Sequence, residues 1–474
     1  MKVLIYTRPR IDVFFKHLAE NIPSFTQIVY FSDHPKTEQH DLMSYYYIAK
    51  IDIKKNEAMY EHVWKEHNLH DVVRRCRYLR MLNFDAALLK VKSMFLAVNR
   101  MIDIENPDYI FGMVMDSYVL DICDRLMRVR GSQYVGFLNN MLNGYSRLTS
   151  RGELIKNKFP GRELVDEKLS ELKSKYYVPN MQKDFMWRTS PCSMFFTKYC
   201  KEKIKIIYYF FKKIIDSDPD NFYSNTVASK HCMSCRSVTQ LFFRRFQDDN
   251  YQEFIDCAKN NKKKIVYLPL QFYPECSIDY WGTSKDMSDF YETVNLLLQN
   301  KYNNIVFLVK EHPSAYGLRK TEFYEKFQTN KSFSLVPFDI SSNEIIEMAD
   351  VVLTWTGSVG VESIIRNKPL VTLGEAYYKV DNSFREISKF EDILKIENVL
   401  LNAVESGLDM NTAFKVIENL LHGLVEGYVF PLDYGTSQNP YAESRMKILG
   451  ENISELMLVI DNKGNVPVRD GTMY

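Results

Sequence analysis

The chain has 474 residues, of which 46% are hydrophobic and 26% are charged, which is enough for two domains with separate cores. Its 61 lysines and arginines nearly balance its 60 acidic residues, for a formal net charge of +1. That balance argues against wholesale binding of nucleic acid. The eight cysteines do not form the framework of a small disulfide-rich domain, so free thiols in a reducing compartment are expected.

Neither a secretory leader nor a membrane span is predicted. The apolar run at Met1–Ile5 is too short for a signal peptide and lacks a cleavage pattern. No stretch approaches the roughly 18 apolar residues of a membrane-spanning helix. We therefore expect the protein to work in the cytoplasm.

The first half of the chain alternates short apolar runs with helical segments. Strands are predicted at 2–6, 27–31, 109–115 and 134–138, and helices at 14–20, 71–104 and 117–129. Apolar runs of about five residues, rich in β-branched types, suit parallel strands that are covered on both faces. This half is therefore expected to be a Rossmann-type domain.

Several charged residues of this half are candidates for substrate contact. Asp116 follows the third predicted strand and is the best carboxylate for catalysis, although it could instead cap the helix that follows. Arg8 follows the first strand, where a solvated loop cation is the plainer interpretation. Arg75 and Arg77 lie in a helix with four arginines in seven residues, and Arg147 lies in a polar loop predicted at 146–151. An acidic substrate could contact these arginines.

The middle of the chain, about 152–262, is predicted to be helical and charged. The segment 201–215 mixes lysines with a long apolar face, which suits an ordinary core helix or a helix lying on an anionic membrane surface. One Cys-x-x-Cys pair at 232–235 has no second pair nearby, so no zinc site is predicted. The expected domains are 1–262 (with 152–262 as a helical extension), 263–435, and a final helix and tail at 436–474 that pack back on the first domain.

Polar clusters follow three predicted strands of the second half. The strands are 265–270, 305–309 and 349–353. The clusters are Gln271, Glu275 and Ser277 after the first strand; Lys310, Glu311, His312 and Pro313 after the second; and Thr356, Gly357, Ser358, Val359, Gly360 and Glu362 after the third. Because open α/β sheets bind ligands at the carboxyl ends of their strands, the three clusters predict one ligand site.

The third cluster has a mechanism for binding phosphate. A glycine-containing turn that opens a helix presents free N–H groups and the positive end of the helix dipole. Hydroxyls of Thr356 and Ser358 could donate to the same anion, and Glu362 could accept from sugar hydroxyls. The alternative is a plain strand-to-helix turn in which glycine merely permits tight packing. His312, in turn, could be a structural histidine or part of the site.

The motifs Pro269–Ser277, Lys310–Pro313 and Thr356–Glu362 resemble the capsular polysaccharide synthesis family, which includes bacterial Kdo transferases that use CMP-activated sugars. The resemblance extends over about 264–380 and, more thinly, over 70–150. It implies the α/β fold called GT-B, with two Rossmann-like domains facing across a cleft, a helical insertion and a long C-terminal helix.

This resemblance implies a glycosyltransferase of bacterial surface polysaccharide synthesis. A keto-sugar acid, such as Kdo or a nonulosonic acid, would pass from a CMP-sugar donor to a glycan or glycolipid acceptor, with no cofactor and no metal ion. The Gly357 turn would hold the phosphate, and His312 with Lys310 would offset charge on the departing CMP. Gln271 or Glu275 would shape the donor pocket, and Asp116 would be the catalytic carboxylate.

Three alternatives stay open at this point. A teichoic-acid type transferase would use a CDP-polyol with the same fold. A sugar-nucleotide epimerase would need no acceptor, and a non-catalytic protein of this fold would only bind glycan. Peripheral association with the inner membrane depends on the 201–215 segment.

Overall fold

The computed structural model describes residues 1–8, 11–34, 40–174, 177–179, 200, 204, 207–208, 211, 243–273, 275–282, 284–312, 315, 319–337, 339–429 and 440–463. Two compact units make up the chain. The first comprises Met1–Lys158, Ile206–Met233 and His422–Tyr474, and the second comprises Phe159–Lys205 and Ser234–Leu421.

Strands and helices are numbered in chain order. The strands are β1 Lys2–Tyr6, β2 Gln27–Ser32, β3 His40–Asp41, β4 Tyr109–Met113, β5 Tyr134–Asn139, β6 Tyr145–Thr149, β7 Lys264–Pro269, β8 Ile305–Lys310, β9 Phe333–Leu335, β10 Val351–Thr354, β11 Leu370–Leu373, β12 Arg385–Ile387 and β13 Val425–Glu426. The α-helices are α1 Asp12–Glu20, α2 Leu42–Asn56, α3 Glu61–Glu66, α4 Leu69–Arg75, α5 Phe84–Glu105, α6 Tyr118–Val129, α7 Arg162–Lys173, α8 Tyr251–Asn260, α9 Cys276–Asp279, α10 Phe290–Gln299, α11 Thr321–Gln328, α12 Ser342–Met348, α13 Val359–Ile365, α14 Phe390–Ile393, α15 Ile396–Ser406, α16 Thr412–His422 and α17 Pro440–Lys463. Short 3₁₀ helices lie at Glu57–Tyr60, Leu79–Met81 and Phe243–Phe246.

The first unit is built on a seven-stranded sheet with the order β13-β6-β5-β4-β1-β2-β3. Strands β1 to β5 pair in parallel, whereas β6 and β13 pair antiparallel at one edge. The predicted loop at 146–151 is therefore wrong, because most of it is β6. The tight turn that carries Gly144 at φ +86° returns the chain alongside β5 and allows this pairing.

The predicted continuous helix at 71–104 is also divided. Helix α4 ends at Arg75 because Cys76 adopts an extended conformation, with φ −80° and ψ 116°. Helix α5 then starts after Asn83, whose side chain accepts a hydrogen bond from the Asp85 N–H at 3.0 Å. A local side-chain cap therefore restarts the helix where the apolar pattern runs on uninterrupted.

The final helix α17 packs on the first unit. Leu449, Ile453 and Leu456 of α17 are buried in one cluster with Phe14 and Phe15 of α1. Gly450 allows the close approach, since a Cβ there would lie 2.0 Å from the Asn21 carbonyl oxygen. Strand β13 adds to the sheet of the first unit just before this helix, so the chain returns to that unit at His422 and not at the expected position 436.

The second unit is built on a six-stranded sheet with the order β12-β11-β10-β7-β8-β9, and all of its pairings are parallel. Its core joins Val266 and Leu268 of β7 with Phe307 and Val309 of β8 and Leu353 of β10. Helix α8 leads into β7 and contacts it, so this unit begins before the expected boundary at 262/263. The expected α/β architecture of two Rossmann-like units is confirmed.

Only part of the middle region lies within the described residues. In the segment 201–215 these are Ile204, Ile207, Tyr208 and Phe211, which are helical and each more than half exposed. The Cys-x-x-Cys pair at 232–235 lies outside the described residues. Within the described part of the chain, no helix has the length and apolar character needed to cross a membrane.

Candidate functional site

The three polar clusters of the second half meet at the centre of the second sheet. The chain runs outward from β7 through β8 to β9, and then returns to the other side of β7 to form β10, β11 and β12. The direction of winding reverses between β7 and β10, which is the topological switch point at which such sheets bind ligands. Gln271, Lys310 and Thr356 follow or end the three central strands and lie at this switch point.

The turn after β10 is held closely by its neighbours. The Gly357 carbonyl oxygen accepts hydrogen bonds from the Gly360 N–H at 3.1 Å and from the Tyr378 hydroxyl at 3.3 Å. A Cβ at Gly360 would lie 1.9 Å from that hydroxyl, and a Cβ at Gly357 would lie 3.0 Å from Gln271 Oε1. Glycine is therefore required by space at position 360, whereas a Cβ at position 357 would only press on the Gln271 amide, and the turn is shaped between Gln271 and the buried Tyr378.

Helix α13 follows this turn directly. Val359 is its first residue, and Ser358 is the N-cap residue, although the Ser358 side chain does not cap the helix. Instead, Ser358 Oγ donates to Glu362 Oε1 at 3.3 Å. Burial raises the pKa of Glu362, while Arg366, the Ser358 hydrogen bond and Lys310 oppose that rise.

The cluster after β7 forms a small hydrogen-bonded triad. Gln271 Nε2 donates to Glu275 Oε2 at 2.8 Å, and Ser277 Oγ donates to the same oxygen at 3.0 Å. These bonds fix the Gln271 amide beside the Gly357 turn. The structure thus brings the first and third predicted clusters together.

Glu311 serves the framework of the site. Arg319 Nε donates to Glu311 Oε2 at 2.7 Å, and Tyr324 donates to the same oxygen at 2.8 Å. Glu311 Oε1 accepts the His312 N–H at 2.7 Å, and Arg319 also donates to the Gln271 carbonyl oxygen at 2.6 Å. This buried ion pair ties the loop after β7 to the loop after β8. Sequence reasoning assigned Glu311 to ligand binding and missed Arg319, which carries no local signal.

Lys310 is a buried ammonium with few partners. Its side chain ends β8, the residue is 7% exposed, and its Nζ donates a long hydrogen bond of 3.4 Å to Ser342 Oγ. Tyr267 donates to the same oxygen at 3.2 Å. Among the described residues no carboxylate pairs with this ammonium, although the negative field of Glu362 acts on it, followed by those of Asp339 and Glu344. Burial lowers the pKa of Lys310.

His312 lies beside the ring of Phe272, with 5.5 Å between ring centroids. Burial, helped by Arg319 and Lys310, lowers the pKa of His312 to about 4. The imidazole is therefore neutral at neutral pH and can offer a hydrogen bond, whereas the positive charge at this rim belongs to Lys310. Pro313, the next predicted site residue, lies outside the described residues.

Thr356 presents a buried hydroxyl to the same region. The residue is 6% exposed, and within the described ranges its Oγ1 has no hydrogen-bond partner. Buried hydroxyls are normally hydrogen-bonded in folded proteins. This hydroxyl, next to a glycine turn, could therefore donate to a ligand.

The first unit carries a separate polar group at the rim of its own sheet. Arg8 Nη2 lies 2.5 Å from Asp116 Oδ2, and the two side chains are 13% and 24% exposed. Arg8 is therefore a buried ion-pair partner, and the interpretation as a solvated loop cation is wrong. The alternative role of Asp116 as a helix cap is also wrong, because Ser117 accepts the Leu120 N–H and caps α6.

The other predicted arginines do not join this group. Arg75 pairs with Asp71 at 2.8 Å, and Arg125 pairs with the same carboxylate at 2.7 Å. Arg147 lies in β6 with 1% of its surface exposed. Arg77 is half-buried in the turn after α4. Arg75 and Arg147 are thus buried side chains, and Arg75 is paired with Asp71.

A family model described as capsule polysaccharide biosynthesis protein matches residues 191–382. This segment is similar to that family. In sequence, Protein FixF of Sinorhizobium fredii (strain NBRC 101917 / NGR234) is 32% identical over 124 residues, a match that covers 25% of this chain and 28% of FixF. The chain thus spans less than a third of the curated relative that it matches.

Solved structures give a looser likeness. The Thermosulfurimonas dismutans KpsC β-Kdo 2,7-transferase is 13% identical, with a TM-score of 0.33 over 77% of this chain and 89% of that chain. The UDP-GlcNAc 2-epimerase from Neisseria meningitidis, bound to UDP-GlcNAc, is 9% identical, with a TM-score of 0.25 over 98% and 100% of the two chains. Likeness of this degree does not indicate a shared activity.

The capsule-family segment contains all three polar clusters of the second unit, together with Ser342 and Tyr378. The Arg8–Asp116 pair lies outside it. Within the described part of the chain, no group of three or more His, Cys, Asp or Glu side chains could hold a metal ion. Sequence reasoning missed three residues of this segment, Arg319, Ser342 and Tyr378. They contact the predicted residues Glu311, Lys310 and Gly357, respectively, and these contacts form only in the folded chain.

Proposed function

We propose that this chain is a glycosyltransferase of bacterial surface polysaccharide synthesis. It takes a keto-sugar acid, such as Kdo or a nonulosonic acid, from a CMP-sugar and transfers it to a glycan or glycolipid acceptor. The observation that carries the proposal is the pair of incompletely satisfied buried groups, Lys310 and Thr356, at the switch point of a capsule-family segment.

The Lys310 ammonium is the main anion-binding group in this proposal. An ammonium has three donors, and among the described residues this one makes a single long hydrogen bond, to Ser342. A buried cation without a counter-ion is costly, so a ligand anion at this point would be strongly favoured. The single phosphate of a CMP-sugar is such an anion. Lys310 would also offset the charge that develops on the departing CMP.

The Gly357 turn would hold the same phosphate from the other side. The Thr356 hydroxyl would donate to it, and the Ser358 hydroxyl could turn from Glu362 to do so. Glu362 would then accept hydrogen bonds from the ribose hydroxyls. The neutral imidazole of His312 would add a hydrogen-bond donor, and the Gln271 amide would border the pocket. The proposal includes no metal ion and no cofactor.

Transfer needs a carboxylate as well as a donor site. Glycosyl transfer passes through an oxocarbenium-like state, so the acceptor hydroxyl needs a base or the sugar needs a covalent partner. Asp116 is the proposed carboxylate. Its Oδ2 is held by Arg8, and its buried Oδ1 has no hydrogen-bond partner among the described residues.

We also propose that the chain works at the inner face of the cytoplasmic membrane. The support is the group of apolar side chains Ile204, Ile207, Tyr208 and Phe211, each more than half exposed, in a segment that also carries lysines. Co-sedimentation with vesicles that contain anionic lipid tests this part. Equal recovery in the supernatant with and without vesicles would contradict it.

Release of CMP from CMP-Kdo, with and without acceptor glycans, tests the proposed activity. We expect release by the wild type, loss of at least tenfold in Lys310→Met, and wild-type rates in Lys301→Met, a matched substitution of an exposed lysine. Turnover of CDP-glycerol in place of CMP-Kdo would favour a polyol transferase. Absence of turnover with either donor would refute the proposal.

A further inference from the structure

The carboxyl ends of three neighbouring parallel strands of the first unit bring together an additional charged group. Strands β4, β1 and β2 lie side by side in that order. Tyr6 ends β1, Asp33 follows β2, and the Arg8–Asp116 pair links the chain after β1 to the chain after β4. Sequence reasoning named Arg8 and Asp116 but neither Tyr6 nor Asp33.

Asp33 is a fully buried carboxylate. The Tyr6 hydroxyl donates to Asp33 Oδ1 at 2.9 Å, and both residues are 0% exposed. Burial raises the pKa of Asp33 to about 6, whereas the Tyr6 hydrogen bond and the field of Arg8 favour the charged form. From helix α6, Tyr118 and Cys123 also face this carboxylate. A buried carboxyl in this setting changes its charge close to neutral pH.

The Arg8 guanidinium therefore interacts with two carboxylates, those of Asp116 and Asp33. Arg8 contacts Asp116 directly and also lies in the field of Asp33. When Asp33 is charged, the group of Arg8, Asp33 and Asp116 carries one net negative charge, so Asp116 is only partly neutralised. When Asp33 is protonated, Arg8 acts on Asp116 alone.

We propose that Asp33 is a positioning residue for the Asp116 site. Its charged carboxylate, which accepts a hydrogen bond from Tyr6, competes with Asp116 for the positive charge of Arg8. Asp116 Oδ1 is thereby left able to accept a hydrogen bond from a substrate hydroxyl. The inference rests on the proposed function, in which Asp116 is the catalytic carboxylate. It adds a condition, because the site works faster while Asp33 is ionised. Activity falls on the acid side as Asp33 takes up its proton.

The pH profile of CMP release from CMP-Kdo tests this inference, measured between about pH 4.5 and 8 around the titration of Asp33. The wild type should lose activity with a midpoint near 6. Tyr6→Phe removes a hydrogen bond that favours the charged form of Asp33, so its midpoint should move to higher pH. Asp33→Asn should lack this acid limb and release CMP roughly threefold to tenfold more slowly at pH 8.

Asp85→Asn is the matched control, since Asp85 is an exposed carboxylate on α5, and it should keep the wild-type profile. Thermal unfolding at each pH checks that every variant is folded. A wild-type acid limb that persists unmoved in both Tyr6→Phe and Asp33→Asn overturns the inference while the proposed function stands. A wild type without CMP release at any pH overturns both.

Discussion

The substitution Lys310→Met separates ligand binding from fold stability. Met keeps the length and apolar volume of the lysine side chain and removes only the ammonium. In the wild type this ammonium is 7% exposed and donates one hydrogen bond of 3.4 Å to Ser342. If the group were there for stability, its removal would weaken the fold. If the ammonium serves to bind a ligand anion, its removal should weaken ligand binding without weakening the fold.

The expected magnitudes follow from those contacts. A hydrogen bond to a charged group contributes about 1.5–3 kcal/mol, so loss of one such bond to the phosphate of CMP raises Kd by roughly 10- to 150-fold. The folded protein, in contrast, loses only a long bond to Ser342 and is relieved of a desolvated charge. We expect the free energy of unfolding to change by less than about 1 kcal/mol, or to rise.

Two measurements on the same preparations check this prediction. Isothermal titration calorimetry with CMP gives Kd, and urea unfolding without ligand gives the free energy of unfolding. Lys301→Met, which removes an exposed ammonium, should change neither quantity. A CMP affinity within twofold of the wild type would refute the anion-binding role of Lys310. A loss of stability above about 2 kcal/mol would show that the ammonium is structural.

Three further predictions concern buried charges. First, because burial raises the pKa of Asp33 from 3.8 to about 6, the folded state binds this proton more tightly, and Asp33 should contribute a fall of about 2–3 kcal/mol in stability as pH rises from 4 to 7; urea unfolding measures this contribution as the difference between the pH dependence of the wild type and that of Asp33→Asn. Second, the pKa of His312 is about 4 without ligand, and a bound phosphate favours the charged ring, so the ratio of the CMP Kd of His312→Gln to that of the wild type, both measured by calorimetry, should increase as pH drops from 7 to 5. Third, Arg319→Met leaves Glu311 buried without its cation and should lower the free energy of unfolding by about 3–5 kcal/mol, while adding Glu311→Gln should restore part of it; equal stability of the single and double variants would contradict this pairing.

The sequence predicted the parts of the site that depend on strand ends. Short apolar runs place strands, and in a parallel sheet the residues after neighbouring strands must meet at one rim. Lys310, Thr356 and Gln271 were predicted in this way, and the structure places all three at the ends of neighbouring central strands of one sheet. Asp116 was found by the same argument in the first unit.

Contacts that form only when the chain folds were not predicted. Arg319 reaches Glu311 across eight residues, and Tyr378 fills the space beside Gly360 from another strand's loop. No periodicity marks such partners. Arg147 was misplaced because a short polar strand at a sheet edge has the composition of a loop. Asp33 was missed because nothing in its local sequence indicates that it is buried.

Thermal stabilisation of the purified chain by CMP, CDP, UDP and GDP at equal concentrations is the direct test of the proposed CMP site. A ligand that binds only the folded state raises the melting temperature. We expect the largest shift with CMP, and loss of that shift in Lys310→Met and Ser358→Ala. A preference for UDP or GDP, or a CMP shift that both variants retain, would contradict it.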